Sequence, residues 1–169
     1  LVALGRLDVV QLREQPSHIL DVFEALLGGD GLVVVPTFTF AFARGQPFDR
    51  QETPSEGMGS FSEHVRLAPG SHRSPHPLQS IAARGREAGA LCALDPPSSL
   101  APGGPFDTLL ARDAKLVLLG APMQAASLVH LVEERRAVPY RYWKEFSGDY
   151  VDAGARSRRT YAMYARDLA

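Results

Sequence analysis

The chain of 169 residues contains one cysteine, Cys92, and one tryptophan. A lone cysteine closes no internal disulfide, which fits a reducing compartment and a cytoplasmic location. There is no run of about 18 apolar residues and no basic-then-apolar leader, so neither a membrane span nor a signal peptide is expected. An excess of either charge is lacking too: 18 Lys and Arg against 19 Asp and Glu leave a formal charge of −1. That balance gives no reason to expect nucleic acid or an anionic membrane as partner. Motifs are missing as well. No GxSxG elbow, Walker loop, GxGxxG turn, HExxH pair or paired-cysteine motif occurs, which removes the commonest hydrolase, NTPase, dinucleotide and zinc readings. His72 and His76 are four residues apart, but Pro75 and Pro77 break any helix that would aim both at one ion. No metal is expected.

What remains is ordinary for a globular chain, with 45% hydrophobic and 22% charged residues. The length suits a single domain over residues 1–169. Apolar residues at 19, 20, 23, 26 and 27 form a helical stripe behind Ser17, a plausible N-cap. Gly31 to Pro36 reads as a buried strand, and a long loop from Thr37 to Pro54 follows it. Ser60-Phe-Ser-Glu63 is a capping-box pattern that predicts a helix over 60–67. Gln79 to Ala83 predicts a strand, Arg86 to Leu94 a helix, and Pro105 a further helix start. Lys115-Leu-Val-Leu-Leu-Gly120 reads as a second buried strand and Leu128 to Ala137 as a helix. The aromatic-rich tail predicts strands, with a hairpin turn around Ser147-Gly148-Asp149. Interleaved strands and helices argue for an α/β, three-layer sandwich around a largely parallel or mixed central sheet. Ligands on such sheets sit beyond the carboxyl ends of strands, here at Thr37–Thr39 and Gly120–Pro122.

The helix after the second strand opens Ser127-Leu-Val-His130-Leu-Val-Glu133-Glu134. His130 in its first turn and Glu133 one turn later share a face. A helix N-terminus disfavours imidazolium, so the histidine stays able to take a proton, and the glutamate can orient the ring. Taken alone, this spacing is more commonly a histidine packed against a sheet beside a solvent-facing glutamate. Arg73-Ser74-Pro75-His76-Pro77 is a proline-stiffened segment suited to gripping phosphate or orienting an acyl carbonyl, and equally a tight turn with an arginine salt bridge. Ser55-Glu56-Gly57-Met58-Gly59 puts two glycines before a helix, where backbone N–H groups can face an anion. Cys92, among apolar neighbours, reads as a buried inert thiol.

In order, GDGLVVVPTFTF, PSEGMGSFSEHVR, PGSHRSPHPLQSIAARG, KLVLLGAP, SLVHLVEE and VPYRYWKEF resemble the aminoglycoside 3-N-acetyltransferase family, collinearly from about Gly5 to Phe146. The resemblance implies transfer of an acetyl group from acetyl-coenzyme A, as co-substrate, to an amine of an amino sugar by direct attack on the thioester. It makes His130 the general base and Glu133 its acidic partner. It places Thr37, Thr39, Arg73, Ser74 and His76 beside the coenzyme, and Ser55, Gly57, Gly59, Glu63 and Glu134 on the acceptor side. It also implies missing parts: the family has a leading strand before Leu1–Gly5 and a continuation beyond Leu168, and Gly104 stands where the family usually has serine. The expected acceptor is an aminoglycoside or a polysaccharide-precursor sugar. Arg135, Arg136, Arg141 and Lys144 near the acidic pair favour a single amino sugar over a polycation. Association into a homodimer is left open. The competing expectations are an inactive binding or scaffold module and a serine hydrolase using Ser74 or Ser127.

Overall fold

The computed structural model describes residues 9–167, and side chains from residue 14 onward. Helix α1 spans Val9–Leu27 and carries Pro16 inside it. Strand β1 (Leu32–Pro36) follows, then a 3-10 turn at Phe42–Arg44 and the two-residue strand β2 (Phe48–Asp49). Helix α2 (Gly59–Leu67), strands β3 (His72–Arg73) and β4 (Ile81–Gly85), and helices α3 (Ala88–Cys92), α4 (Pro105–Ala111) and α5 (Leu128–Arg135) come next. Two long strands, β5 (Arg141–Asp152) and β6 (Ala155–Arg166), complete it.

The fold is α/β, with mixed rather than parallel pairing. One sheet has the order β1-β4-β3, all antiparallel; the other has β2-β5-β6, in which only β2 and β5 run parallel. Alternation along β1 explains the layering. Val33 and Val35 join Leu20 of α1, Val65 of α2 and Ala82 in one core. Leu32 and Val34 face the other way, towards Ile81, Ala83, Leu91, Phe106 and Leu131. Helices therefore cover both faces of this sheet. A third core of Phe42, Phe48, Leu78, Tyr150 and Tyr161 fastens the β5–β6 hairpin to the loop after β1.

Five expectations need correction. Ser17 is not a cap: α1 starts eight residues earlier, and the Ser17 hydroxyl donates to the Glu14 carbonyl within the helix. The capping box does not close either, since Met58 precedes α2 and the Glu63 carboxylate accepts from Ser55 instead. The hairpin turns at Ala153-Gly154, both with positive φ (48° and 80°), as a two-residue primed turn requires. Ser147-Gly148-Asp149 lies within β5 because Gly148 packs against the Phe42 ring. The largest departure is Lys115–Gly120. It forms no strand and is solvent-facing, with Leu116 52% and Val117 57% exposed. Apolar composition favours burial but supplies no neighbour for a ladder, and β1, at the edge of its sheet, is not paired to it. Similarly, the helix expected at 86–94 is shorter, starting after Glu87, which sits at φ 65°.

Candidate active site

The chain folds His130 and Glu133 into contact. Both lie on α5, and His130 Nδ1 is 2.6 Å from Glu133 Oε2. The imidazole side chain is 34% exposed, whereas that of Glu133 is 9% exposed. Two residues with no place among the expected site residues complete the cluster. The Tyr140 hydroxyl donates to Glu133 Oε1 at 3.0 Å, and Arg141 Nη2 lies 2.9 Å from Glu133 Oε2. Burial alone would push the Glu133 carboxyl up, but hydrogen bonds from His130, Tyr140 and Arg141 outweigh it and hold the group below its ordinary range. Arg141 is fixed in turn by donating to the Tyr164 carbonyl at 2.9 Å, and the Tyr164 hydroxyl donates to the Val138 carbonyl at 2.8 Å. The exposed Trp143 ring packs tilted against Tyr164, with centroids 5.2 Å apart, beside this cluster. Both Tyr140 and Arg141 lie beyond the end of α5 at Arg135, so helical periodicity does not link them to His130. In the sequence Arg141 is legible only as a nearby charge, and Tyr140 only as the head of the aromatic tail.

The residues expected beside the coenzyme form a second cluster, buried beneath the end of β1. Thr37, Thr39 and Ser74 are wholly buried, and Arg73 and His76 nearly so. Arg73 donates to the Thr37 carbonyl at 2.7 Å, the Thr53 carbonyl at 2.5 Å and the Ser80 hydroxyl at 3.1 Å, with its guanidinium over the Phe48 ring. Burial lowers its pKa to about 10. Thr37 shares a hydroxyl bond with Ser80, and Thr39 donates to Glu56, whose carboxyl the Arg44 and Thr39 hydrogen bonds hold at about 2. The Ser74 hydroxyl accepts from the Ile81 amide. His76 Nδ1 accepts from the Gln79 amide, so Nε2 carries the proton and donates to the Ala162 carbonyl; burial drives this histidine down to about 4. These polar atoms are engaged inside the protein. A buried Ser74 hydroxyl bonded to backbone also gives the serine-hydrolase reading no exposed nucleophile at that position.

On the acceptor side, Ser55 and Glu63 are joined through the Ser55 amide and hydroxyl at 3.1 and 2.8 Å. Burial raises the Glu63 carboxyl, yet Arg66 and Ser55 together bring it to about 2. Gly57 and Gly59 both have positive φ (71° and 86°), which lets the chain turn into α2. Glu134 faces away from the dyad's hydrogen bonds and accepts from Ser98 at 3.0 Å; burial raises its carboxyl. Strand β6 spans the clusters. Its Ala162 carbonyl meets His76 and its Tyr164 carbonyl meets Arg141, two residues or about 7 Å along the strand. Gly104 precedes α4 with no room for a side chain, since a Cβ there would lie 2.7 Å from the Ser99 carbonyl oxygen. Among the described residues no group of three or more His, Cys, Asp or Glu is arranged to hold a metal ion, and no helix is long and apolar enough to cross a membrane.

The fold and the cluster together define an α/β protein presenting a helix-borne histidine–glutamate pair at the surface. Residues 3–168 match the model of the aminoglycoside 3-N-acetyltransferases, and the chain belongs to that family. It is similar to aminoglycoside N(3)-acetyltransferase VII of Streptomyces paromomycinus, 34% identical over 104 residues that cover 61% of this chain and 36% of the relative. Among solved structures, that of the aminoglycoside acetyltransferase AAC(3)-Xa superposes with a TM-score of 0.76 at 26% identity, covering 91% of this chain and 61% of that one. The structure of AAC-IIIb as a binary complex with CoASH shares the fold, with a TM-score of 0.77 at 22% identity over 89% of this chain and 63% of that chain. The chain thus spans about a third to two thirds of the length of these relatives.

Proposed function

We propose that the chain carries the base-bearing site of an acetyl-coenzyme A-dependent N-acetyltransferase acting on an amine of an amino sugar. The observation that carries this reading is the His130–Glu133 pair, with Nδ1 bonded to the carboxylate and Nε2 left as the open nitrogen. A protonated sugar amine has no lone pair for attack. One proton leaves the ammonium for solvent. As the amine nitrogen forms the new bond to the thioester carbonyl carbon, His130 Nε2 takes a second proton from it. The carbon–sulfur bond breaks, and the proton held on His130 passes to the departing thiolate. Glu133 fixes the ring and balances the imidazolium that forms transiently.

Family membership supports acetyl-coenzyme A as the donor, and the CoASH carried by AAC-IIIb agrees with it. The chemistry of the second cluster fits a supporting role: Arg73, Thr37 and Ser74 rigidify the end of β1 and the neighbouring loop, so that backbone groups at Phe38 to Gly59 can meet the coenzyme. The relatives' names make aminoglycosides the first acceptors to test. A single amino sugar is the second reading. It is favoured because both oxygens of Glu133 are occupied by protein donors and Glu134 is held by Ser98, which leaves neither carboxylate free for a polycation. The test is acetyl transfer measured across aminoglycosides and single amino sugars, with the wild-type chain and with His130→Ala. Transfer that falls at least about 100-fold in the variant is expected; full activity in His130→Ala overturns the base assignment.

A further inference from the structure

We infer that Arg141 is a positioning residue for this site: it locks the Glu133 carboxylate onto His130 Nδ1, which keeps Nε2 the open nitrogen. The inference rests on the acetyl-transfer reading for its purpose but not for its geometry. Three groups meet at one point. Glu133 Oε2 lies 2.6 Å from His130 Nδ1 and 2.9 Å from Arg141 Nη2, and the same Nη2 lies 3.0 Å from Nδ1. A guanidinium only donates and a carboxylate only accepts. If Nδ1 lacked a proton, its lone pair would face the carboxylate at 2.6 Å, which is repulsive. The proton therefore sits on Nδ1 and points at Oε2, and Arg141 bonds to Oε2 rather than to the ring.

The position is a costly one. The Arg141 side chain is 9% exposed, and its Nε is buried with no hydrogen-bond partner. Buried ion pairs with an unsatisfied donor contribute little to stability, so a purely structural role accounts poorly for retaining one. Geometry supplies a role: Arg141 holds the carboxylate where it accepts from Nδ1–H, which orients the ring. The groups facing this point are Glu133 from α5, Arg141 from β5 and Tyr140 at the far carboxylate oxygen; Arg166 at the end of β6 reaches Tyr140 electrostatically. Arg141 sits where β5 begins and is anchored to the β6 backbone, so the hairpin sets its position relative to α5.

The test uses nitrogen-15-labelled histidine in the chain, comparing wild type with Arg141→Met and Arg141→Lys. Wild type is expected to show His130 as the Nδ1–H tautomer, Arg141→Met a mixture containing Nε2–H, and Arg141→Lys an intermediate pattern. In acetyl transfer, Arg141→Met is expected to lower kcat 10- to 100-fold with KM for acetyl-coenzyme A within about twofold. If Arg141→Met folds poorly, Arg141→Gln, which retains a donor for the Tyr164 carbonyl without the charge, is read in the same way. An unchanged tautomer in a folded neutral variant overturns the inference. Absence of any acetyl transfer by wild type, with the tautomer change still present, overturns the acetyl-transfer reading and leaves the placement of Arg141 supported.

Discussion

Glu133 receives three hydrogen-bond donors, and each is separable by substitution. Tyr140→Phe removes only the bond to Oε1. Because Arg141 and His130 still hold Oε2, the expected cost is a three- to tenfold fall in kcat, checked by steady-state acetyl transfer. Glu133→Gln is expected to cost more. The amide must present either a donor to Nδ1 or an oxygen shared with Arg141, and the wrong rotamer favours the Nε2–H tautomer, which blocks the base. A loss greater than that of Tyr140→Phe, growing no smaller at high pH, is the result to look for. Spacing places His130 and Glu133 on one face of α5, but on its own it favours a packed histidine beside a solvent-facing glutamate; the collinear family blocks mark the pair as a site. Tyr140 and Arg141 are not marked as site residues, because they reach the pair through the geometry of the turn after α5.

At the scale of elements, the β5–β6 hairpin carries half of the site, so its turn has consequences at a distance. Ala153 adopts φ 48°, a region that costs a residue with a Cβ roughly 1 kcal/mol. Ala153→Asn, in front of Gly154, creates the pairing most favoured in such turns and is expected to raise the melting temperature by a few degrees in a thermal scan. Gly148→Val tests the other anchor. Its Cβ would approach the Phe42 ring at 2.8 Å, so the hairpin must lift or the ring must turn, and a destabilisation of about 1–3 kcal/mol in urea unfolding is expected. These elements show what sequence conveys. Burial patterns in Leu32–Pro36, His130's helix and the aromatic tail were readable because each depends on local periodicity. Register, the hairpin turn and the state of Lys115–Gly120 depend on which neighbour is available, and composition does not specify that.

Across the whole molecule, acid sensitivity has a defined source. His76 is buried and neutral, with its pKa depressed from 6.5 to about 4. A depressed histidine binds fewer protons folded than unfolded between those values, so its contribution is fully present above about pH 6.5 and is lost as pH falls towards 4. The amount is on the order of 3 kcal/mol. His76→Gln is expected to flatten the dependence of urea-unfolding free energy on pH in that window, whatever its effect on the absolute value. Below it, Glu63 and Glu56 take over: both have depressed carboxyls, so the stabilisation they give is present above about pH 4.5 and disappears as pH falls towards 2.

The solvent-facing run from Leu116 to Leu119 has a colloidal consequence. Four apolar residues in sequence, with no charge among them and no ladder neighbour, make a sticky segment onto which identical runs of other molecules can stack. Leu119 also lines an open groove of about 540 Å³ beside Ile19, Val22 and Phe23 of α1, which extends the greasy surface. Solubility is therefore expected to fail with concentration before the fold fails with heat. Val117→Lys, which puts a charge in the middle of the run without touching the dyad, should delay the onset of light scattering in concentrated samples while the melting temperature stays within a degree or two.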